Sequence, residues 1–160
     1  MPTHVYQPSR NPPRWGDRLM VHPLDSTAAF IALLFGAFVA LSLLVPEFIP
    51  SKSMDRMPWP VVVLVSGFLG TGGAVAVTGL NWWGDNVSTG WALERFGWLL
   101  VTGGLLTYGI SVAWHYTDSV FSWLVPLILG AGSLLRALSI LLIERGVRRT
   151  LSRLPGATHE

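Results

Sequence analysis

Long stretches of this chain pass without a charged side chain, and those gaps define its elements. No Asp, Glu, Lys or Arg lies between Asp25 and Glu47, which frames a first span over 26–45. A second gap, from Met57 to Gly84, contains 59–80, and a third, from Phe96 to Thr117, contains 96–114. The fourth segment, 120–143, is interrupted only by Arg136. A charge at the centre of a membrane helix costs about 2.5–3.5 kcal/mol on insertion scales, so such gaps mark bilayer-crossing segments. Roughly 20 apolar residues cover ~30 Å of hydrocarbon, and each of the four segments reaches or approaches that length. Backbone polar groups have no water partners in lipid, and the period-2 alternation of a membrane barrel is missing, so the spans are expected to be helical.

The boundaries carry matching punctuation. His22-Pro23-Leu24-Asp25-Ser26 reads as a restrained approach followed by N-cap residues. Pro46 and Pro50 close the first span, and Pro58 and Pro60 open the second. The polar run 81–89 reads as a turn, with 91–95 leading into the third span. Spans three and four are separated by only 115–119, which predicts an antiparallel hairpin. The first apolar run follows 25 residues containing five prolines, and no A-x-A-like site follows it, so it is expected to remain as a membrane helix.

Composition agrees. The chain has 160 residues, 51% hydrophobic and only 12% charged, with mean hydropathy +0.49. Soluble domains carry about 25% charged residues, so this chain lacks the polar surface of a soluble enzyme or an ordinary nucleic-acid-binding module. A net charge of +2 is too small to imply a polyanionic partner. With no cysteine, disulfides, thiolate metal sites and cysteine nucleophiles are excluded.

Lys and Arg set the expected orientation. The arm (Arg10, Arg14, Arg18), the loop after span two (Arg95) and the tail (Arg145, Arg148, Arg149, Arg153) share one side, whereas the other holds Lys52 and Arg56. By the positive-inside rule both termini are cytoplasmic. Trp59, Trp114 and Trp123 fall at the expected outer interface, Trp82, Trp83 and Trp91 at the inner one, and Trp98 slightly deeper. The predicted organisation is an all-α four-helix transmembrane bundle, N-in and C-in, in the cytoplasmic (inner) membrane. Residues 1–24 form a Pro-rich cytoplasmic arm, 25–144 the four-span domain and 145–160 a basic tail.

Small residues recur at four-residue spacing: Ala32, Gly36 and Ala40; Ser66, Gly70, Ala74 and Thr78; Gly103, Thr107 and Ser111. Such stripes let helix backbones approach closely, although membrane helices are Gly-rich in general. Gly36, Ser66, Gly70, Ala74, Thr78, Gly103 and Thr107 are the expected helix-contact residues, within one chain or between copies. Arg136 is the one charge inside a predicted span. It reads either as an anchor or ion-pair residue, with Asp25 and Glu94 in reach, or as a residue lining a polar path. In the tail, Val147, Leu151 and Leu154 share one helical face and Arg145, Arg148, Arg149 and Arg153 the other, until Pro155-Gly156 ends the helix. A short amphipathic helix lying on anionic lipid is expected, or else a topology-setting stop. The segment 14–20 reads either as a short interfacial stretch or as a contact for a soluble partner.

Candidate chemistry is sparse. His115, Tyr116 and Asp118 provide too few ligands for a closed metal site, and read as a polar turn. No Ser is paired with a base in a recognisable pattern, and G-x-S-x-G is absent. The expectation is a non-enzyme without metal or cofactor.

The runs Gly79-Leu-Asn-Trp-Trp-Gly-Asp85, Ala92-Leu-Glu-Arg-Phe-Gly-Trp-Leu-Leu100 and Gly103-Gly-Leu-Leu-Thr-Tyr-Gly-Ile-Ser111 resemble small multi-span membrane proteins of actinobacterial phages, some of them regarded as holins. The resemblance spans mainly 20–145. It implies a bacteriophage protein that accumulates in the host inner membrane, self-associates as a homo-oligomer and opens lesions for host cell lysis. Two alternatives stand beside it: an accessory subunit that binds a larger membrane or soluble protein, and a small transporter or channel with Arg136 near a polar path.

Overall fold

A computed structural model describes residues 23–45, 47–83 and 87–151, the side chains of 87, 147, 148, 150 and 151 excepted. Among the described residues all regular structure is helical: α1 (Pro23–Leu44), α2 (Lys52–Asp55), α3 (Trp59–Leu80), α4 (Val87–His115) and α5 (Val120–Leu151). Four of these are long and apolar enough to cross a membrane. The beginning of α1 and the far end of α5 share one end of the molecule, called here the terminal end. The α1–α3 connection and the α4–α5 turn make up the hairpin end.

Helix limits follow the hydrocarbon constraint where it applies and depart from it outside. At 22 residues each, α1 and α3 reach ~33 Å, close to a bilayer core. α3 opens with Pro60 in its first turn, where the missing N–H costs nothing. It closes at Asn81, whose side-chain amide and backbone N–H both donate to the Val77 carbonyl. α4 begins at Val87, about nine residues before the expected span. The polar run there reads as a turn, but Gly90 forms a socket for Trp82: a Cβ at Gly90 would come within 2.9 Å of that side chain. The Trp82 side chain thereby packs on the first turn of α4. α5 continues unbroken through Pro126 to Leu151, 32 residues or ~48 Å. The described part of the tail is therefore a prolongation of the fourth span, and 152–160 lie outside the described residues.

The long helices pack in chain order, α1 on α3, α3 on α4 and α4 on α5, while α1 only brushes α4. α3 and α4 are the inner pair and α1 and α5 the edges. Glycines set the closeness of these contacts. A Cβ on Gly36 would sit 2.1 Å from the Gly70 nitrogen, so the α1 and α3 backbones cross there in near-contact. On the adjoining face of α3, a Cβ on Gly79 would lie 2.3 Å from the Glu94 nitrogen of α4. Close approach of this kind supplies the dispersion contact that lipid tails cannot outcompete. Val39, Val65, Leu69, Val101 and Val112 fill the space between these crossings and are fully buried.

At the hairpin end α2 folds back onto the helices and buries Ser53, Met54 and Met57. The hydroxyls of Ser53 and Tyr108 share a hydrogen bond of 3.1 Å, and those of Ser51 and Ser53 one of 2.5 Å. Phe35 meets the Tyr108 ring edge-on at 5.4 Å, and the Arg56 guanidinium lies 5.3 Å from the centre of Tyr116.

Candidate functional site

The chemistry of the described residues concentrates at the terminal end, where α1, α4 and α5 each bring one charge to a common point. Asp25 comes from the first turn of α1, where a carboxylate also suits the positive end of the helix dipole. Glu94 stands on α4 one turn before Trp98, and Arg136 stands on α5. Arg136 donates from Nε (3.1 Å) and Nη2 (2.8 Å) to Glu94 Oε1. Nη2 also lies 3.0 Å from Asp25 Oδ2. The Trp98 indole N–H donates to the same Glu94 oxygen at 3.4 Å. Glu94 is the enclosed member, with 8% of its side chain exposed against 28% for Asp25 and 25% for Arg136.

Helix arithmetic places this cluster in depth. From Leu44 back to Asp25 is ~28 Å along α1, and from His115 back to Glu94 is ~32 Å along α4. Both carboxylates therefore lie one hydrocarbon thickness from the hairpin end, at the headgroup edge. From Val120 to Arg136 is only ~24 Å, so the Arg136 backbone lies inside the apolar slab and its stem carries the guanidinium out to meet them. The two carboxylates repel one another, and one guanidinium between them relieves that repulsion in a setting where water helps little. A second pair lies farther out, Arg95 Nη1 to Glu144 Oε2 at 2.9 Å, again joining α4 to α5.

Both expected partners of Arg136 are thus at hand. Trp98, read from sequence as a deep interfacial residue, is 3% exposed and belongs to this site. Its four-residue spacing from Glu94 was the available signal. The expected helix-contact residues divide. Gly36 and Gly70 meet across α1 and α3, and a Cβ on Gly103 would touch the Phe68 ring at 3.3 Å. Ser66 and Thr78 donate their hydroxyls to the Val63 and Ala74 carbonyls of their own helix. Ala74 is exposed and Thr107 half-buried. Among the expected lipid-surface residues, Arg145 and Arg149 are exposed on the prolonged α5. The Arg148 side chain and Arg153 lie outside the described residues.

The cluster joins α1, α4 and α5. Among the described residues no three His, Asp or Glu gather as a metal would require. Thr102 and Ser133 turn their hydroxyls back onto the Trp98 and Leu129 carbonyls of their own helices. No protein-family model, curated protein or solved structure matches this chain.

Proposed function

We propose that this is a non-enzymatic, multi-pass protein of the bacterial cytoplasmic membrane that acts by associating with copies of itself and permeabilises that membrane in the manner of a holin. The observation that carries the reading is the open row of helices. The edge helices α1 and α5 each bury only 22% of their most apolar window. They present Phe30, Ile31 and Phe38 on one side and Ile128, Leu135 and Leu142 on the other. Such edges suit lateral addition of further helices. The terminal end faces the cytoplasm in this reading, so Arg145 and Arg149, exposed on the far part of α5, lie beside the anionic leaflet, where each contributes about 1 kcal/mol to attachment. Arg136, held between two carboxylates, serves as a structural tie, which disfavours a channel lined by that residue.

Expression of the gene alone in a bacterium, with a potential-sensitive dye as readout, tests the proposal. An abrupt collapse of membrane potential once a threshold amount has accumulated is expected. Normal growth and potential at high membrane density would reject it.

A further inference from the structure

We infer that the Asp25–Arg136 contact is an exchangeable seam, closed within one chain here and closed between copies in an assembly, so that α1 of a second copy occupies the α5 edge. The inference rests on the self-association proposed above and specifies its interface. α1 and α5 are the two ends of the row and otherwise scarcely meet, since α1 is held by α3 and α5 by α4. The seam therefore opens without disturbing the glycine crossings at Gly36 and Gly79.

The ion cluster is built for such an exchange. Glu94 accepts from both Nε and Nη2 of Arg136, so the guanidinium stays neutralised when Asp25 moves away. An unpaired buried charge is the main cost of breaking such a contact, and Glu94 removes most of it. Asp25 is the more exposed carboxylate and sits on the first turn of an edge helix, where a neighbouring chain can reach. Its counterpart in a second copy offers the same charge at the same depth. Arg136 of one chain and Asp25 of the next then recreate the original pair between apolar faces. That contact is head-to-tail: each copy gives an α5 edge and accepts an α1 edge. Repetition generates a ring if the rotation closes.

The chain has no cysteine, so single cysteines report the contact cleanly. Leu24→Cys and Leu135→Cys flank the pair at exposed positions and are placed in two co-expressed chains of different size. Oxidation in membranes is expected to yield a mixed disulfide dimer several-fold above the control pair Leu24→Cys with Phe121→Cys, whose second site lies at the hairpin end. Asp25→Asn in both chains is expected to cut that yield several-fold. Asp25→Arg in the Leu24→Cys chain, combined with Arg136→Asp in the other, is expected to restore it. Single-molecule photobleaching of the wild type measures association independently. Copies that associate without the mixed dimer, or with a mixed dimer indifferent to Asp25→Asn, overturn the seam and leave self-association standing. A wild type that stays monomeric at every density defeats both.

Discussion

Gly36→Ala is the sharpest test of how these helices are held. One methyl group at this position would lie 2.1 Å from the Gly70 nitrogen, 2.5 Å from its Cα and 2.8 Å from the Leu69 carbonyl carbon. All three are backbone atoms of α3, so no side chain can turn aside. Restoring an ordinary contact of 3.4 Å from 2.1 Å requires the helices to part by about 1.3 Å at the crossing. A gap of that size forfeits a quarter or more of the dispersion attraction of the atoms lining it. Overpacking of this kind costs about 1–3 kcal/mol, against which alanine returns at most ~1 kcal/mol of helix propensity over glycine. A net loss of about 1–2 kcal/mol is expected. The facing Gly70→Ala is the control, because its methyl would meet Gly36 at 3.8–3.9 Å, a normal contact. Unfolding is followed by tryptophan fluorescence as SDS is titrated into mixed micelles. Gly36→Ala should unfold at a lower SDS fraction than wild type, and Gly70→Ala at the same fraction or a higher one. Equal midpoints for the two variants would refute the crossing geometry.

Arg136→Leu leaves Glu94 enclosed without its cation and should cost about 2–4 kcal/mol, below the full range for a broken buried pair because the site borders the headgroups. The same titration should find the double variant Arg136→Leu/Glu94→Leu more stable than Arg136→Leu alone, since the orphaned charge is gone. Tyr108→Phe removes the 3.1 Å bond to Ser53 and should cost about 0.5–1.5 kcal/mol, and the double variant with Ser53→Ala, which also loses the bond to Ser51, should cost less than the two single variants summed. A double-mutant cycle, with proteolysis of the α2 loop as a second readout, checks that coupling. Arg95→Gln breaks the partly exposed pair with Glu144 and should cost no more than about 1 kcal/mol, a loss that shrinks in high salt.

The sequence locates the membrane-crossing segments well because hydrocarbon forbids charge. The 59–80 span matches α3, and a short turn at 116–119, within the expected 115–119, separates α4 from α5. Beyond the hydrocarbon that constraint vanishes, and with it the legibility of the helix limits. The early start of α4 goes with Trp82 packing against Gly90, a contact made across the loop that the order of residues in 87–90 does not announce. In the tail, charge density alone does not say where α5 ends: Arg145 and Arg149 ride on a helix that continues to Leu151. The candidate site was more readable. A lone Arg in a span needs partners, and only Asp25 and Glu94 stood at a suitable depth. Their joint use of one nitrogen, Nη2, is a matter of packing that the spacing of residues does not encode.

The small-residue stripes show where reading by spacing stops. A four-residue repeat identifies a face without saying what it meets, and α3 carries small residues on three sides. Gly70 and Gly73 serve α1, Gly72 and Gly79 serve α4, and Gly67, Thr71 and Ala74 look outward. Backbone contacts already made inside the chain are unavailable to a second copy unless the fold opens. Self-association must therefore draw on the edge helices or the outer face, while Gly36, Gly72 and Gly79 govern folding. The two properties are separable for that reason. Substitutions at Gly36, Gly72 and Gly79 should lower the unfolding midpoint at every protein density. A methyl group at Gly67 meets nothing within 4 Å, so Gly67→Ala should leave that midpoint unchanged or raise it slightly. If Gly67→Ala destabilised the isolated chain as much as Gly36→Ala does, the division between inner and outer faces of α3 would be wrong. The helix order α1–α3–α4–α5 would then fall with it.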